Sequence, residues 1–290
     1  MHATDTSTFP IINTDAERYL NLGAGLFRLG KSQEAVACYQ RAAEINPNNA
    51  EIYYNMGVAL NRQGKSDAAI MCYCKALKIS PNLARAYIEM GLAFNDQGQS
   101  EEAIACYLKA LEIVPNHASA FNNLGTALKA QGKTDEALMN FRHAIEFDPE
   151  LDEAHINLGC ACQDLGNIEE AIRCFRNAIE IRPTSSEALC FLGDALLALE
   201  NTSEAITCYQ HAVEIDPEHA LAFCHMGLAL AQQGKTELAI ICFRKALDID
   251  DRLPQVYCHL GNALQAAGKR EDAMICYRRA LEIESNFIEN

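Results

Sequence analysis

No stretch of this 290-residue chain approaches the ~20 consecutive apolar side chains that a membrane-spanning helix needs. No run of Lys and Arg occurs either, and 24 basic residues stand against 39 acidic ones for a formal net charge of −15. That balance argues against nucleic acid and anionic membrane surfaces as partners. The excess acid reads either as a solvated helical surface or as a preference for basic partners. Residues 1–15, MHATDTSTFPIINTD, contain neither Lys nor Arg and no long apolar core, so they do not read as a secretory signal. Without one, the thirteen cysteines read as free thiols of a reduced, cytoplasmic protein. A Gly-rich phosphate loop, a nucleophile elbow and a His–carboxylate cluster at metal spacing are all missing. The sequence therefore offers no catalytic constellation, and no cofactor or metal is expected.

What the chain does have is a period. Residues 118–151, ASAFNNLGTALKAQGKTDEALMNFRHAIEFDPEL, form a 34-residue pattern that recurs in phase. With its positions numbered from 1, position 8 is Gly23, Gly57, Gly91, Gly125, Gly159, Gly193, Gly227 and Gly261. Position 20 is Ala in all eight copies, from Ala35 to Ala273; position 27 is Ala from Ala42 to Ala280; position 24 is always Tyr or Phe. A period of this length outranks other sequence signals. It divides the chain into an N-terminal tail (1–15), eight repeats (16–49, 50–83, 84–117, 118–151, 152–185, 186–219, 220–253 and 254–287) and a C-terminal end (288–290).

Each repeat reads as two helices. Apolar residues fall at helical spacing in Phe121, Leu124 and Leu128, then in Ala137, Leu138, Phe141, Ala144 and Ile145. Between them Gly132 is placed to take the left-handed conformation that ends a helix. Thr134 is expected to cap the next helix, with Asp135 and Glu136 in its first turn. Pro149 ends that helix. The small residues Gly125, Ala137 and Ala144 let two backbones approach, and Phe141 fills the space beside them. One such pair cannot bury its apolar face alone, so neighbours must stack.

On these positions the pattern resembles the tetratricopeptide repeat over residues 16–287. The departures are mild. The chain has no Trp, and position 4 is Tyr19, Tyr53, Tyr87, Phe121, His155, Leu189, Phe223 and Tyr257. The terminal Pro is replaced by Asp251 and Ser285 in the last two repeats. The inter-helix Gly is Glu200 in the sixth, followed by Asn201, which tolerates the same backbone conformation. The resemblance implies an all-α, right-handed α-solenoid whose first helices line a concave groove, with positions 2, 5, 6, 9, 12 and 13 turned inward. It also implies a non-enzymatic scaffold that holds an extended peptide or partner protein there.

Position 6 is Asn21, Asn55, Glu89, Asn123, Asn157, Phe191, His225 and His259, and Asn122 stands at position 5 of the fourth repeat. A carboxamide offers a donor and an acceptor to an extended backbone without reading its side chains. The asparagine series is similar to the ladder in the superhelical repeat domain of O-linked N-acetylglucosamine transferases. Two readings stay open: a peptide-binding ladder, or the consensus residue of the repeat. The whole chain likewise reads as a scaffold in itself or as the substrate-recruiting arm of a larger enzyme, such as a glycosyltransferase. The family's carboxylate-clamp type, which needs Lys at position 5 and Asn at position 9 of one repeat, is set aside. No repeat has that Lys, and Asn262 is the one Asn at position 9. The first helix of the sixth repeat, EALCFLGDALLALE, is apolar on nearly every side. It is covered by its neighbours or holds an apolar anchor of a ligand.

Seven cysteines occupy position 23: Cys38, Cys72, Cys106, Cys174, Cys208, Cys242 and Cys276. Stacked equivalents stand roughly 8–10 Å apart or more, beyond the ~7 Å a disulfide allows, so they read as small packing residues. Cys72–Cys74 and Cys160–Cys162 mimic metal pairs, but residues two apart on a helix do not face each other. At the ends, Phe9-Pro10-Ile11-Ile12 belongs to a frayed tail or to a cover over the first repeat. Met274, Tyr277 and Leu281 are expected to lie open unless Phe287 and Ile288 fold back. An open face there would suit a longer chain, a partner, or self-association through the last repeat.

Overall fold

The structure, a computed structural model, describes the backbone of residues 9–288 and the side chains of residues 14–285. Sixteen α-helices and no strand occur among the described residues. The chain divides into two compact halves, Met1–Asp148 and Pro149–Asn290. The first contains α1 (Phe9–Arg28), α2 (Ser32–Ile45), α3 (Ala50–Asn61), α4 (Ser66–Ile79), α5 (Ala84–Asp96), α6 (Ser100–Ile113), α7 (Ala118–Ala130) and α8 (Thr134–Phe147). The second contains α9 (Asp152–Asp164), α10 (Ile168–Ile181), α11 (Ser186–Ala198), α12 (Thr202–Ile215), α13 (Ala220–Gln232), α14 (Thr236–Ile249), α15 (Pro254–Ala266) and α16 (Arg270–Ile288). Odd helices are the first, and even helices the second, of each 34-residue repeat.

Within each half the packing is strictly sequential. A first helix packs on the second helix of its own repeat, and that helix packs on the first helix of the next, as α1–α2–α3 and α9–α10–α11 do. First helices of adjacent repeats also pack closely (α1 with α3, α3 with α5, α5 with α7; α9 with α11, α11 with α13, α13 with α15); among the described residues no two second helices approach as closely, although Arg176 of α10 reaches Glu204 of α12 at 2.8 Å. Each half therefore curves with its first helices on the inner wall.

The contact inside a repeat is the one the small residues predict. A Cβ built on Gly125 would stand 2.6 Å from Cε1 of Phe141, and the other seven position-8 glycines meet their position-24 rings in the same way. Ala137, Phe141 and Ala144 are fully buried around that contact. Full burial of one such ring contributes about 1.5–3 kcal/mol, and the helix crossing at Gly125 makes it reachable.

The inter-helix turn follows the left-handed cap. Gly132 has φ +76°, its N–H donates to the Lys129 carbonyl at 2.9 Å, and the Lys133 N–H donates to the Leu128 carbonyl at 3.0 Å. In the sixth repeat Glu200 itself, not Asn201, adopts this conformation, with φ 61°. The hydrogen bonds explain the difference: Glu200 N–H donates to Leu197 O and Asn201 N–H to Leu196 O, both at 2.9 Å. The repeat frame places the left-handed residue whatever side chain it carries.

The capping expectation is corrected. α8 begins at Thr134, so Lys133 is its N-cap, and no side chain caps it. The Lys133 carbonyl already accepts from Ala137 N–H at 3.0 Å and its N–H closes the preceding turn, so the tight connection satisfies the backbone by itself. Side-chain caps appear instead at three first helices, where Asn49, His117 and Ser185 accept from the N–H groups of Glu51, Ala120 and Ala188.

α8 stops at Phe147, two residues before Pro149. α14 stops at the same repeat position before Asp251, so proline is not required there, whereas α16, with Ser285 at that position, runs on to Ile288. At the other end α1 already starts at Phe9, ahead of the tail boundary at residue 15. The side chains of the Phe9–Ile12 patch and of Phe287 and Ile288 lie outside the described residues. Met274 and Leu281 are exposed, at 59% and 66%, and Tyr277 is half-buried. No disulfide joins any of the thirteen cysteines, and Cys72, Cys106, Cys174, Cys208 and Cys242 are buried. No helix among the described residues is long and apolar enough to cross a membrane, and none of their His, Cys, Asp and Glu side chains form a group of three suited to a metal ion.

Candidate functional site

The inner wall of each half is built from first helices, and adjacent positions on it do different things. In repeats three to seven position 5 turns into the stack. Ile88, Asn122, Ile156, Cys190 and Cys224 are all buried, Asn122 at 4% exposure. This corrects Asn122 as a groove residue: its side chain is engaged within the fold. Position 6, about 100° further round the helix, stays at the wall. Asn21 is exposed, while Asn55, Glu89, Asn123, Asn157, Phe191, His225 and His259 are half-buried.

A rule emerges from the contacts of position 6. The side chain meets the position-24 aromatic of the preceding repeat. Phe191 stacks on Phe175 with centroids 5.6 Å apart; His259 stacks on Phe243 and His225 meets Tyr209 edge-on, both at 5.9 Å. In repeats six to eight the inner rung is therefore anchored on the same ring that fills the glycine crossing behind it. The sequence reading had no sight of this pairing, which joins residues 16 apart across a repeat boundary.

In the first half the wall carries a polar network over repeats two and three. Arg85 pairs with Glu51, one repeat back at the same position, and its guanidinium lies 4.5 Å over the Tyr54 ring. Glu51 also accepts from the Asn55 carboxamide at 3.4 Å. Tyr54 in turn lies 6.3 Å from the ring of Tyr73. Glu89 is one helical turn beyond Arg85, and burial pushes its carboxyl above the ordinary glutamate range.

In the second half the wall becomes aromatic and imidazole-rich. Tyr209 donates to Asp194 Oδ1 at 2.6 Å, and that same oxygen lies 2.8 Å from His225 Nδ1. Burial first, and then the Asp194 charge, push the Tyr209 hydroxyl far up. Burial and the neighbouring His225 depress His259, which favours its neutral form. Asp194 escaped the sequence reading, although it is the one carboxylate at position 9 of any repeat. Next to His259 a hollow of about 370 Å³ opens on the inner face of repeats seven and eight, floored by Leu228, Phe243 and Ala263 and edged by Gln232 and Asn262. The apolar first helix of repeat six needs no ligand to cover it: Leu189, Cys190, Leu192, Ala195 and Leu196 are buried by its neighbours.

The cysteine thiols nearest these groups are quiet. Burial pushes Cys190 up to about 12, aided by Asp194, and Cys224 up to about 11. A thiol that stays protonated at neutral pH is a poor nucleophile and metal ligand.

A stack of helix pairs around fully buried Gly–aromatic crossings, repeated every 34 residues, defines a helical repeat protein. Family comparison gives it a name. Tetratricopeptide repeat profiles match residues 82–150, 152–185 and 254–287, and a TPR repeat profile matches 23–64, 59–98, 193–234 and 227–268. The chain belongs to the tetratricopeptide repeat family. Among solved structures it is similar to MamA (26% identity over 58% of this chain and 98% of MamA, TM-score 0.53). It is also similar to YrrB, described as a TPR protein with an unusual peptide-binding site (27% identity over 63% of this chain and 95% of YrrB, TM-score 0.50). The Cut9–Hcn1 assembly of the APC/C shares the fold at 17% identity over 90% of this chain and 50% of that one, with TM-score 0.71. None of the curated protein sequences compared matches this chain.

Proposed function

We propose that this protein is a non-catalytic interaction scaffold that binds an extended segment of a partner protein along the inner wall of its first helices. The observation that carries the reading is the set of position-6 carboxamides, Asn21, Asn55 and Asn123 in the first half and Asn157 in the second. They stay at the wall, and beside Asn123 and Asn157 the position-5 neighbours Asn122 and Ile156 are buried. Rungs set by helix packing are roughly 10 Å apart, close to three residues of extended chain at ~3.3 Å each. A peptide running along the wall meets one carboxamide about every third residue and is held mainly through its backbone. The likeness to YrrB, itself a peptide-binding TPR protein, supports a peptide as ligand. Thirteen cysteines outside any disulfide, several with burial-raised pKa, suit a reducing compartment such as the cytoplasm.

The test uses peptides selected on the full chain from a random library. Each lost neutral hydrogen bond removes ~0.5–1.5 kcal/mol. Asn55→Ala with Asn123→Ala is thus expected to weaken binding roughly ten-fold while leaving helical content and Tm nearly unchanged. The outer-face pair Lys109→Ala with Arg142→Ala is the control and is expected to do little. Unchanged affinity in the asparagine pair would reduce the ladder to a relic of the repeat consensus.

A further inference from the structure

The wall of the second half has one place where side chains fall short. Position 12 of the repeat is a Phe, Asn, Lys, Gln or Leu in every repeat but one, with Leu197 in repeat six and Gln265 in repeat eight; in repeat seven it is Ala231. The next first helix, α15, brings Ala266 at position 13 to the same spot. No other pair of successive repeats sets alanine against alanine at these two positions. The result is the hollow of about 370 Å³ beside His259. Ligand pockets run from roughly 300 to 1,000 Å³, so this one is of a size for a single large side chain.

No charged side chain lines the hollow, in a chain that carries 24 basic and 39 acidic residues. A charged group entering it would leave water and meet no counter-charge. Half-buried Leu228 and exposed Ala231 and Ala266 offer apolar surface that solvent reaches, and Phe243 and Ala263 close the space behind them. Around this surface stand four neutral polar groups that the fold leaves unused. The Gln232 carboxamide and the Thr236 hydroxyl make no hydrogen bond among the described residues. Asn262 Oδ1 accepts from the Tyr277 hydroxyl at 2.7 Å, which orients the carboxamide and leaves its Nδ2 hydrogens unspent. His259 stacks on Phe243, but no hydrogen bond among the described residues engages its ring nitrogens. Burial and His225 favour its neutral form, which offers one N–H and one lone pair. Gln232 and Asn262 are exposed and Thr236 and His259 half-buried, so an incoming group can reach all four.

We propose that this hollow receives a tyrosine or tryptophan side chain of the bound segment. The inference rests on the groove reading and adds to it one point of side-chain selectivity on the wall of the second half. Both side chains join an apolar ring to a hydrogen-bonding atom at its edge, which matches apolar surface rimmed by neutral donors and acceptors. A tyrosine hydroxyl can donate to Gln232 Oε1 or to the His259 lone pair and accept from Asn262 Nδ2; an indole N–H can donate to the same acceptors. Leu, Ile, Val or Phe would cover the apolar surface but strip water from the rim without replacing its hydrogen bonds. Lys, Arg, Asp or Glu would lose hydration with no compensating charge.

Two measurements test the hollow separately from the asparagine ladder. In the first, the full chain labelled with carbon-13 at its alanine methyls is titrated with N-acetyl-tyrosinamide, N-acetyl-leucinamide or N-acetyl-lysinamide. The Ala231 and Ala266 signals, assigned with Ala231→Leu and Ala266→Gln, are expected to move most with the tyrosine derivative and not with the lysine one. In the second, peptides selected on the full chain from a random library are expected to share Tyr or Trp at one position. Ala231→Leu fills the hollow with the residue that repeat six already carries at position 12, so the fold is expected to keep its helical content and Tm. It is expected to weaken the selected peptides roughly ten-fold or more, as blocking a buried aromatic anchor should. Ala266→Gln copies Gln232 of the preceding repeat and is expected to do the same from the facing helix. Changing the peptide's aromatic residue to Ala is expected to cost as much, with little added loss on Ala231→Leu. Alanine signals indifferent to the tyrosine derivative overturn the proposal. So do peptides that bind both filled variants as tightly as wild type, and peptides whose shared residue is aliphatic, charged or Phe. Loss of binding in the Asn55/Asn123 pair but not on filling the hollow overturns the hollow and leaves the groove standing. Loss on filling alone, with responsive alanine signals, leaves the hollow standing and removes the ladder.

Discussion

Alanine at Gly125 sets helix propensity against packing, and the structure says which wins. Glycine inside a helix costs roughly 0.5–1 kcal/mol relative to alanine, so Gly125→Ala in α7 would stabilise the protein if propensity alone decided. A Cβ there, however, would stand 2.6, 2.8 and 3.0 Å from Cε1, Cδ1 and Cζ of Phe141. Carbon atoms sit comfortably at about 3.5–4.0 Å, so the ring must retreat by about 1 Å. It has nowhere to go, since Phe141, Ala137 and Ala144 are all fully buried. Overpacking of this kind costs ~1–3 kcal/mol, leaving a net loss of about 0.5–2 kcal/mol. Gly25, in the last turn of α1, is the built-in control because a Cβ there meets nothing within 4 Å. Gly25→Ala is expected to gain about 0.5–1 kcal/mol. Urea midpoints followed by far-UV circular dichroism give the sign of each change. Amide exchange in residues 118–147 shows where the loss falls, because repeat arrays open unit by unit. Phe141→Leu in the Gly125→Ala background is expected to recover part of the loss. If both glycine variants shift the midpoint upward, the close-packing role of position 8 is wrong.

Glu200→Gly is expected to stabilise the sixth repeat by about 1 kcal/mol, the strain of a left-handed non-glycine residue, read as a higher urea midpoint. Glu89 has a folded-state pKa raised by burial, so its charge destabilises the fold above the folded pKa, and that cost vanishes below the unfolded one. Glu89→Gln is therefore expected to raise Tm at neutral pH, with the gain fading as pH falls below the ordinary glutamate range; a gain constant with pH would assign it to packing instead. Thiol labelling at mildly alkaline pH is expected to modify the exposed Cys74 first, while Cys106, Cys208, Cys224 and Cys242, all pushed up to about 11, react only on unfolding. Equal rates for all five would contradict their burial.

The helix pairing was legible because its determinants are local and repeated: Gly125 against Phe141, Gly132 at the turn, Pro149 after the second helix. Errors arose where one residue's role depends on how a neighbour's backbone is already used. Thr134 looks like a cap until the Lys133 N–H is seen closing the previous turn. Asn122 and Asn123 are identical in type and adjacent, yet one rotation of about 100° buries the first and leaves the second at the wall. The inner wall was legible as positions but not as partners. Tyr209, Asp194 and His225 meet through two repeats, at separations where helical periodicity carries no information. Glu89 was visible as an interruption of the asparagine series, whereas its burial required coordinates.

The asymmetry between the two sides of the stack has a mechanical consequence. Within each half, first helices pack closely on their successors on the inner side, whereas among the described residues second helices stand further apart on the outer side, where a side-chain link such as Arg176–Glu204 bridges α10 and α12. Such a wall behaves like a leaf spring with its leaves joined more tightly along one edge. Small rotations at each repeat accumulate within a half, and opening the outer edge strains exposed side-chain links rather than close helix packing. The stiffness felt by a ligand then comes from the glycine–aromatic crossings, which are rigid, and from the inner seams, which hinge. On the groove reading proposed above, the pitch of the rungs is set jointly by the protein and the extended chain, so a partner a little too long or too short would be met by a change of curvature instead of a lost contact.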